Sequence, residues 1–122
     1  MAKPERVNPI IAELETRFKS PKGKLDLAKS GVKVAQTILR YSVQGYIGQS
    51  TWHLWKKFRN LQGAVAGLKE EAKNFTEATG KAVPPEIITL MADAEKDIQH
   101  YRAEIPKLPE RSRRLMSMTF NI

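Results

Sequence analysis

The chain has 122 residues, 41% of them apolar and 28% charged, no cysteine, and a formal net charge of +8. This length allows one small domain, the composition excludes an integral membrane bundle, and the lack of thiols excludes a disulfide framework or a thiolate metal site. The charge is unevenly spread: residues 17–59 hold ten Lys/Arg against a single acid, Asp26, whereas residues 84–104 are net acidic.

The opening MAKPERVNP has no apolar stretch of the kind a secretory signal needs, so none is expected. Asn8-Pro9 reads as a helix start, with Asn8 as N-cap and Pro9 in the first turn. Ile10, Ile11, Leu14 and Phe18 then share one face of a short leading helix over 9–19. The string Ser20-Pro21-Lys22-Gly23 reads as its stop.

A second helix is predicted over about 24–46. Asp26, Lys29, Lys33, Gln36, Arg40 and Gln44 form a polar stripe at spacings of three and four. Leu27, Val34, Ile38 and Tyr41 lie on the far side with Leu25, Ala28, Val32, Ala35 and Leu39. Such a wide apolar face suits a helix packed on two neighbours. Gly45 and Gly48 loosen its end, and Ser50 or Thr51 can cap the next helix.

That helix, over about 51–78, has the clearest pattern in the chain. Leu54, Phe58, Leu61, Val65, Leu68, Ala72 and Phe75 follow a heptad spacing of four and three. Pro84-Pro85-Glu86 opens a further helix over about 85–104, whose acidic first turn suits the helix dipole. Its Ile87, Met91, Ala94, Ile98 and Tyr101 repeat the same spacing. Two helices with matching seams and a short connection are expected to pair antiparallel. Pro106 and Pro109 are expected to end helicity. Residues 105–122 then form an extended, basic-apolar docking strap, with Arg111, Arg113 and Arg114 ahead of Leu115, Met116, Met118, Phe120 and Ile122. The expected fold is all-α, a single helical domain over 1–104 followed by this tail.

Four constellations bear on chemistry. Asp93, Asp97, His100 and Glu104 share one helical stripe, and carboxylates with an imidazole can hold a divalent ion. A di-metal bundle needs ligands from a second helix, and no other helix offers them, so the stripe is read as a solvated or ion-paired face, with the Lys29–Lys33–Arg40 stripe as one possible mate. His53 has no Ser or Cys nucleophile and orienting acid that can be assembled around it, and it is read as a packing or interfacial side chain. Trp52, Trp55, Lys56, Lys57 and Arg59 form the densest aromatic-basic cluster. It suits a bilayer interface, where Trp lies at headgroup level and cations meet phosphate, or RNA, where aromatics stack on bases. In the plain structural reading, Trp55 and Phe58 are core and the cations are solvated. The lipid reading is placed ahead of RNA because no RNA-binding signature is present. The three tail arginines are read as a docking knot.

The longest uncharged run, Tyr41 to Trp55, is fifteen residues with two Gln, three Ser or Thr and a His. A crossing needs about 20 mainly apolar residues, so it is not a span. The stretch GKLDLAKSGVKVAQTILRY, followed by WHLWKKFRNLQGAVAGLKEEAKNF, resembles the peroxin-eleven family of organelle-membrane elongation proteins over residues 22–75. The resemblance implies an amphipathic helix lying on an acidic membrane; no site residues are carried over from it.

No catalysis, metal or cofactor is expected. The sequence points to an accessory or structural subunit of a larger, membrane-associated assembly, with a mitochondrial inner-membrane energy-transducing complex as the expected setting. The alternatives are a peripheral membrane-shaping protein and a ribosomal or other nucleic-acid-bound protein. Expected partners are other protein subunits and anionic lipid, with nucleic acid ranked behind. Expected interaction residues are Lys29, Lys33, Arg40, Trp52, Trp55, Lys56, Lys57, Arg59, Arg111, Arg113 and Arg114.

Overall fold

A computed structural model describes the backbone of residues 20–120 and the side chains of residues 20–114. Among these residues every regular element is helical. Helix α1 spans Pro21–Gln44, α2 Trp52–Thr79 and α3 Pro85–Glu104; a single 3-10 turn, Ile105–Lys107, leads into α4, Leu108–Phe120. The leading helix expected over 9–19 lies outside the described residues.

Helix α1 begins at Pro21, three residues ahead of the expected start near 24. Ser20 is the N-cap, and its hydroxyl accepts from the Gly23 N–H at 3.0 Å. Pro21 occupies the first turn, where its missing N–H removes no helical bond. At the far end the Gly45 N–H closes onto the Tyr41 carbonyl.

Helix α2 begins at Trp52. Thr51 holds the cap position without a side-chain bond, while the Ser50 hydroxyl accepts from the Trp52 N–H at 3.2 Å. Its last turn ends at Gly80, whose φ of +68° is left-handed and suits glycine; the Gly80 N–H donates to the Thr76 carbonyl. Helix α3 keeps the expected bounds.

The core is one cluster. The seven α2 seam residues Leu54, Phe58, Leu61, Val65, Leu68, Ala72 and Phe75 are all buried in it. They meet Leu25, Val32 and Leu39 of α1 on one side and Ile87 and Ala94 of α3 on the other. Met91, Ile98 and Tyr101 of α3 pack against the edge, half-buried. α2 therefore has two neighbours, and its main one is α1. Full burial of a Leu or Phe side chain is worth about 1.5–3 kcal/mol, so this single seam is the largest source of stability in the fold.

The tail corrects a second expectation. Residues 105–120 are helical, not an extended strap. Pro106 falls in the first turn of the 3-10 segment, and Pro109 in the first turn of α4. Both sit in a first turn, where proline is tolerated, so they do not end helicity. Ile105 is fully buried and Leu108 nearly so, both in the same cluster as the three long helices.

Candidate interaction surface

Helix α1 carries two faces of different kinds. Its inner face holds the core residues Leu25, Val32 and Leu39. On the side toward α3, the buried Gln36, 5% exposed, donates through its side-chain amide to Asp93 at 3.2 Å and to Asp97 at 3.1 Å. Arg40, one turn on, donates to Asp97 at 2.6 and 3.0 Å and lies 3.4 Å from Asp93. Lys29 meets Glu86 at 3.2 Å. The hydrogen bond to Asp97 raises the Arg40 guanidinium further above its ordinary value, against the opposing effect of burial. Burial pushes the Tyr101 hydroxyl up; the nearby Asp97 charge acts in the same direction and Arg40 in the other.

This arrangement spends the acidic stripe inside the chain. Asp93 and Asp97 face Gln36 and Arg40, Glu104 pairs with Arg111 at 3.1 Å, and His100 stands edge-on to Tyr101. Among the described residues no group of three or more His, Cys, Asp or Glu is placed to hold a metal ion.

The cations named from sequence divide accordingly. Lys29, Arg40, Arg111 and Arg114 have intramolecular acids, the last being Glu110 one turn back at 2.9 Å. Among the described residues, Lys33, Lys57, Arg59 and Arg113 have no ion pair. Lys56 lies 5.6 Å from the centre of the Trp52 ring, in cation–π range. Trp52 is exposed and stands edge-on to His53, whereas Trp55 is half-buried against Phe58 with ring centres 5.4 Å apart. Arg102 of α3 covers the other part of Phe58, at 5.8 Å.

The outer face of α1, expected from its width to pack on a neighbour, is left exposed by the described helices. Leu27, Gly31, Val34, Ile38 and Tyr41 follow the same 4-3-4-3 spacing as the α2 seam. Leu27 is 57% exposed, Val34 57%, Ile38 46% and Tyr41 70%. Ile47 in the connection to α2, and Ile88 on α3, are exposed as well. Between Leu27 and α2 runs an apolar groove of about 500 Å³, lined by Lys24, Leu27, Ala28, Gly31, Ala64, Gly67 and Glu71. A smaller polar hollow of about 250 Å³ lies beside the α1–α2 connection, with Tyr46, His53 and Lys57 among its lining.

No helix among the described residues is long and apolar enough to cross a membrane. Compared with known proteins, the chain matches no family model, no curated protein and no solved structure.

Proposed function

We propose that this chain is a non-catalytic accessory subunit of a larger assembly, and that another protein of the assembly covers the outer stripe of α1. One observation carries the reading: Val34, Ile38 and Tyr41 form a helical apolar stripe that the chain's own described helices leave in solvent. Such a row, at the spacing that pairs helices elsewhere in the same molecule, is the surface a partner helix fits. The unpaired cations Lys33, Arg59 and Arg113 support a partner of acidic character or a seat beside an anionic membrane, such as the mitochondrial inner membrane. The test is the native mass of the particle that contains the protein. A particle many times the 13.8 kDa of the chain supports the reading, above all if Ile38→Asp releases the chain from it while helicity is kept. A 13.8 kDa species in a gentle native extract contradicts it.

A second reading draws on Trp52, exposed and in contact with Lys56. An exposed Trp next to a cation suits the headgroup level of a bilayer, so the protein would lie on an anionic membrane by itself. Flotation of the isolated protein with anionic vesicles, and not with neutral ones, supports this; absence from both fractions removes it. A nucleic-acid partner would instead give binding that weakens steeply with salt and drops on combined Lys56→Ala and Lys57→Ala.

A further inference from the structure

We propose that the polar hollow beside the α1–α2 connection is a binding site for a phosphate monoester, held by Lys57 and His53. The inference goes beyond the subunit reading and does not rest on it: that reading concerns Val34, Ile38 and Tyr41 on the outer stripe of α1, and none of these lines the hollow.

Three observations carry it. The first is a charge without a counter-charge. Lys57 and His53 stand one turn apart on α2 and both line the hollow. Lys57 is half-buried, and neither side chain makes a hydrogen bond or ion pair among the described residues. No carboxylate lines the hollow, and the sequence holds no Asp or Glu between Asp26 and Glu70. A cation that has given up part of its hydration without gaining an acid is completed by an anion from outside. The second observation is the donor set. The Ser42 hydroxyl is engaged with the Ile38 carbonyl at 2.7 Å and the Tyr46 hydroxyl with the Gln49 carbonyl. Ser50 and Gln49 act here as acceptors: the Ser50 Oγ takes the Trp52 N–H at 3.2 Å, and the Gln49 Oε1 takes the Ile47 N–H at 2.7 Å. Their O–H and NH2 groups are left to donate to a ligand, alongside the Lys57 ammonium and the His53 imidazole, which has an N–H in either protonation state. Several donors around a lysine suit an oxyanion with multiple acceptor oxygens and nearly two charges, which describes a phosphate monoester better than a carboxylate. The space is sufficient: at about 30 Å³ per water, about 250 Å³ takes the group together with waters. The third observation is contrast. The hollow between α2 and α3 holds Lys69 already paired with Glu95, and the apolar groove between α1 and α2 has Glu71 in its lining beside Lys24. Each of those carries its own acid; the hollow at Lys57 does not. The exposed Ile47 and Trp52 adjoin the lining residues Tyr46 and His53 in the chain, which suits a phosphate presented at a lipid surface.

The test has two arms, both on the full chain. In the first, glycerol phosphate is titrated at fixed ionic strength and followed by backbone amide shifts. In the second, the protein is floated with vesicles containing phosphatidic acid, whose headgroup is a monoester, or phosphatidylglycerol, a diester of the same sign. Saturable binding of glycerol phosphate, with shifts concentrated in residues 42–57 and no preference between the vesicles, assigns a soluble phosphomonoester. Preferential flotation with phosphatidic acid assigns a lipid headgroup. In either case Lys57→Met should weaken binding at least about tenfold, while Lys33→Met, at an unpaired lysine outside the hollow, should change it less than about twofold. Should Lys57→Met lose helicity, His53→Ala at an exposed position takes its place, with an expected loss of about threefold. The site is overturned by binding in neither arm, by shifts spread outside residues 42–57, or by no loss in the variant at the hollow. Equal weakening by Lys33→Met and Lys57→Met also overturns it, because that is only the general attraction of a chain of net charge +8 for anions. Neither arm needs a partner protein, so failure here leaves the native-mass test of the subunit reading untouched.

Discussion

The seam of α2 and the outer stripe of α1 share one spacing, yet the seven seam residues are 0–8% exposed and the four side chains of the stripe 46–70%. Leu61 is fully buried in the cluster that α2 shares with both α1 and α3. Ile38 sits on the side of α1 turned away from both. The periodicity states that a helix has an apolar face; the position of that helix in the bundle decides whether the face is closed within the chain. A central helix satisfies its seam at home, and a peripheral helix with a second stripe has a surface left over.

Paired substitutions break or sharpen this contrast. The largest effect is expected for Leu61→Asp, which buries an unpaired carboxylate in the seam. It should cost more than about 4 kcal/mol and unfold the chain, seen as loss of helical circular dichroism. Ile38→Asp should keep the helical spectrum of the isolated chain, changing its stability by less than about 1 kcal/mol, since a surface site is not desolvated. If the two variants were equally folded, the seam assignment would be wrong; if Ile38→Asp also unfolded the chain, the stripe would be core. Next comes Leu68→Ala, a cavity in the same seam, at about 2–5 kcal/mol by chemical denaturation. Val34→Ala, on the stripe, should stay within about 0.5 kcal/mol in the same measurement.

A smaller effect is expected where α1 meets α3. Arg40 is well exposed, so Arg40→Ala should cost about 1 kcal/mol or less, a drop of a few degrees in Tm that shrinks in high salt. Tyr101 adds a pH dependence. Its folded-state pKa is raised, chiefly by burial, so its contribution is complete below the ordinary tyrosine range near 10 and is lost as pH climbs through the folded value. Tyr101→Phe should flatten the fall in Tm above about pH 10. The smallest expected change is a gain. Gly63 is on the exposed side of α2 with nothing within 4 Å of a built Cβ, so Gly63→Ala should stabilise by about 0.5–1 kcal/mol through helix propensity.

Much of the fold was legible because it rests on strong local patterns. Leu54 through Phe75 repeat over three heptads, and Pro84-Pro85-Glu86 marks a start that little else resembles. The two misplaced boundaries share one cause. Helix α1 was expected only from about residue 24, and helicity was expected to end at Pro106 and Pro109, because proline breaks a helix interior; proline in a first turn is permitted, and only the backbone tells which side of the boundary it lies on. The charged site was half legible. The stripes of Lys29 and Arg40 and of Asp93 and Asp97 match in sign and spacing, and the structure joins Arg40 to Asp97. Gln36 was not legible as a buried bridge, since a glutamine among lysines looks like any solvated position. The outer stripe of α1 was visible as apolar residues and invisible as a surface. Whether Leu27 and Tyr41 are covered depends on where α2 and α3 pack, and that is fixed by contacts distant in sequence.

The central claim is that the exposed half of α1 is covered when the protein is in its native assembly. Side-chain footprinting of Tyr41 in the native particle against the isolated chain tests it most directly. Strong protection of Tyr41 in the particle is the result expected. Equal labelling of Tyr41 in both states contradicts the account.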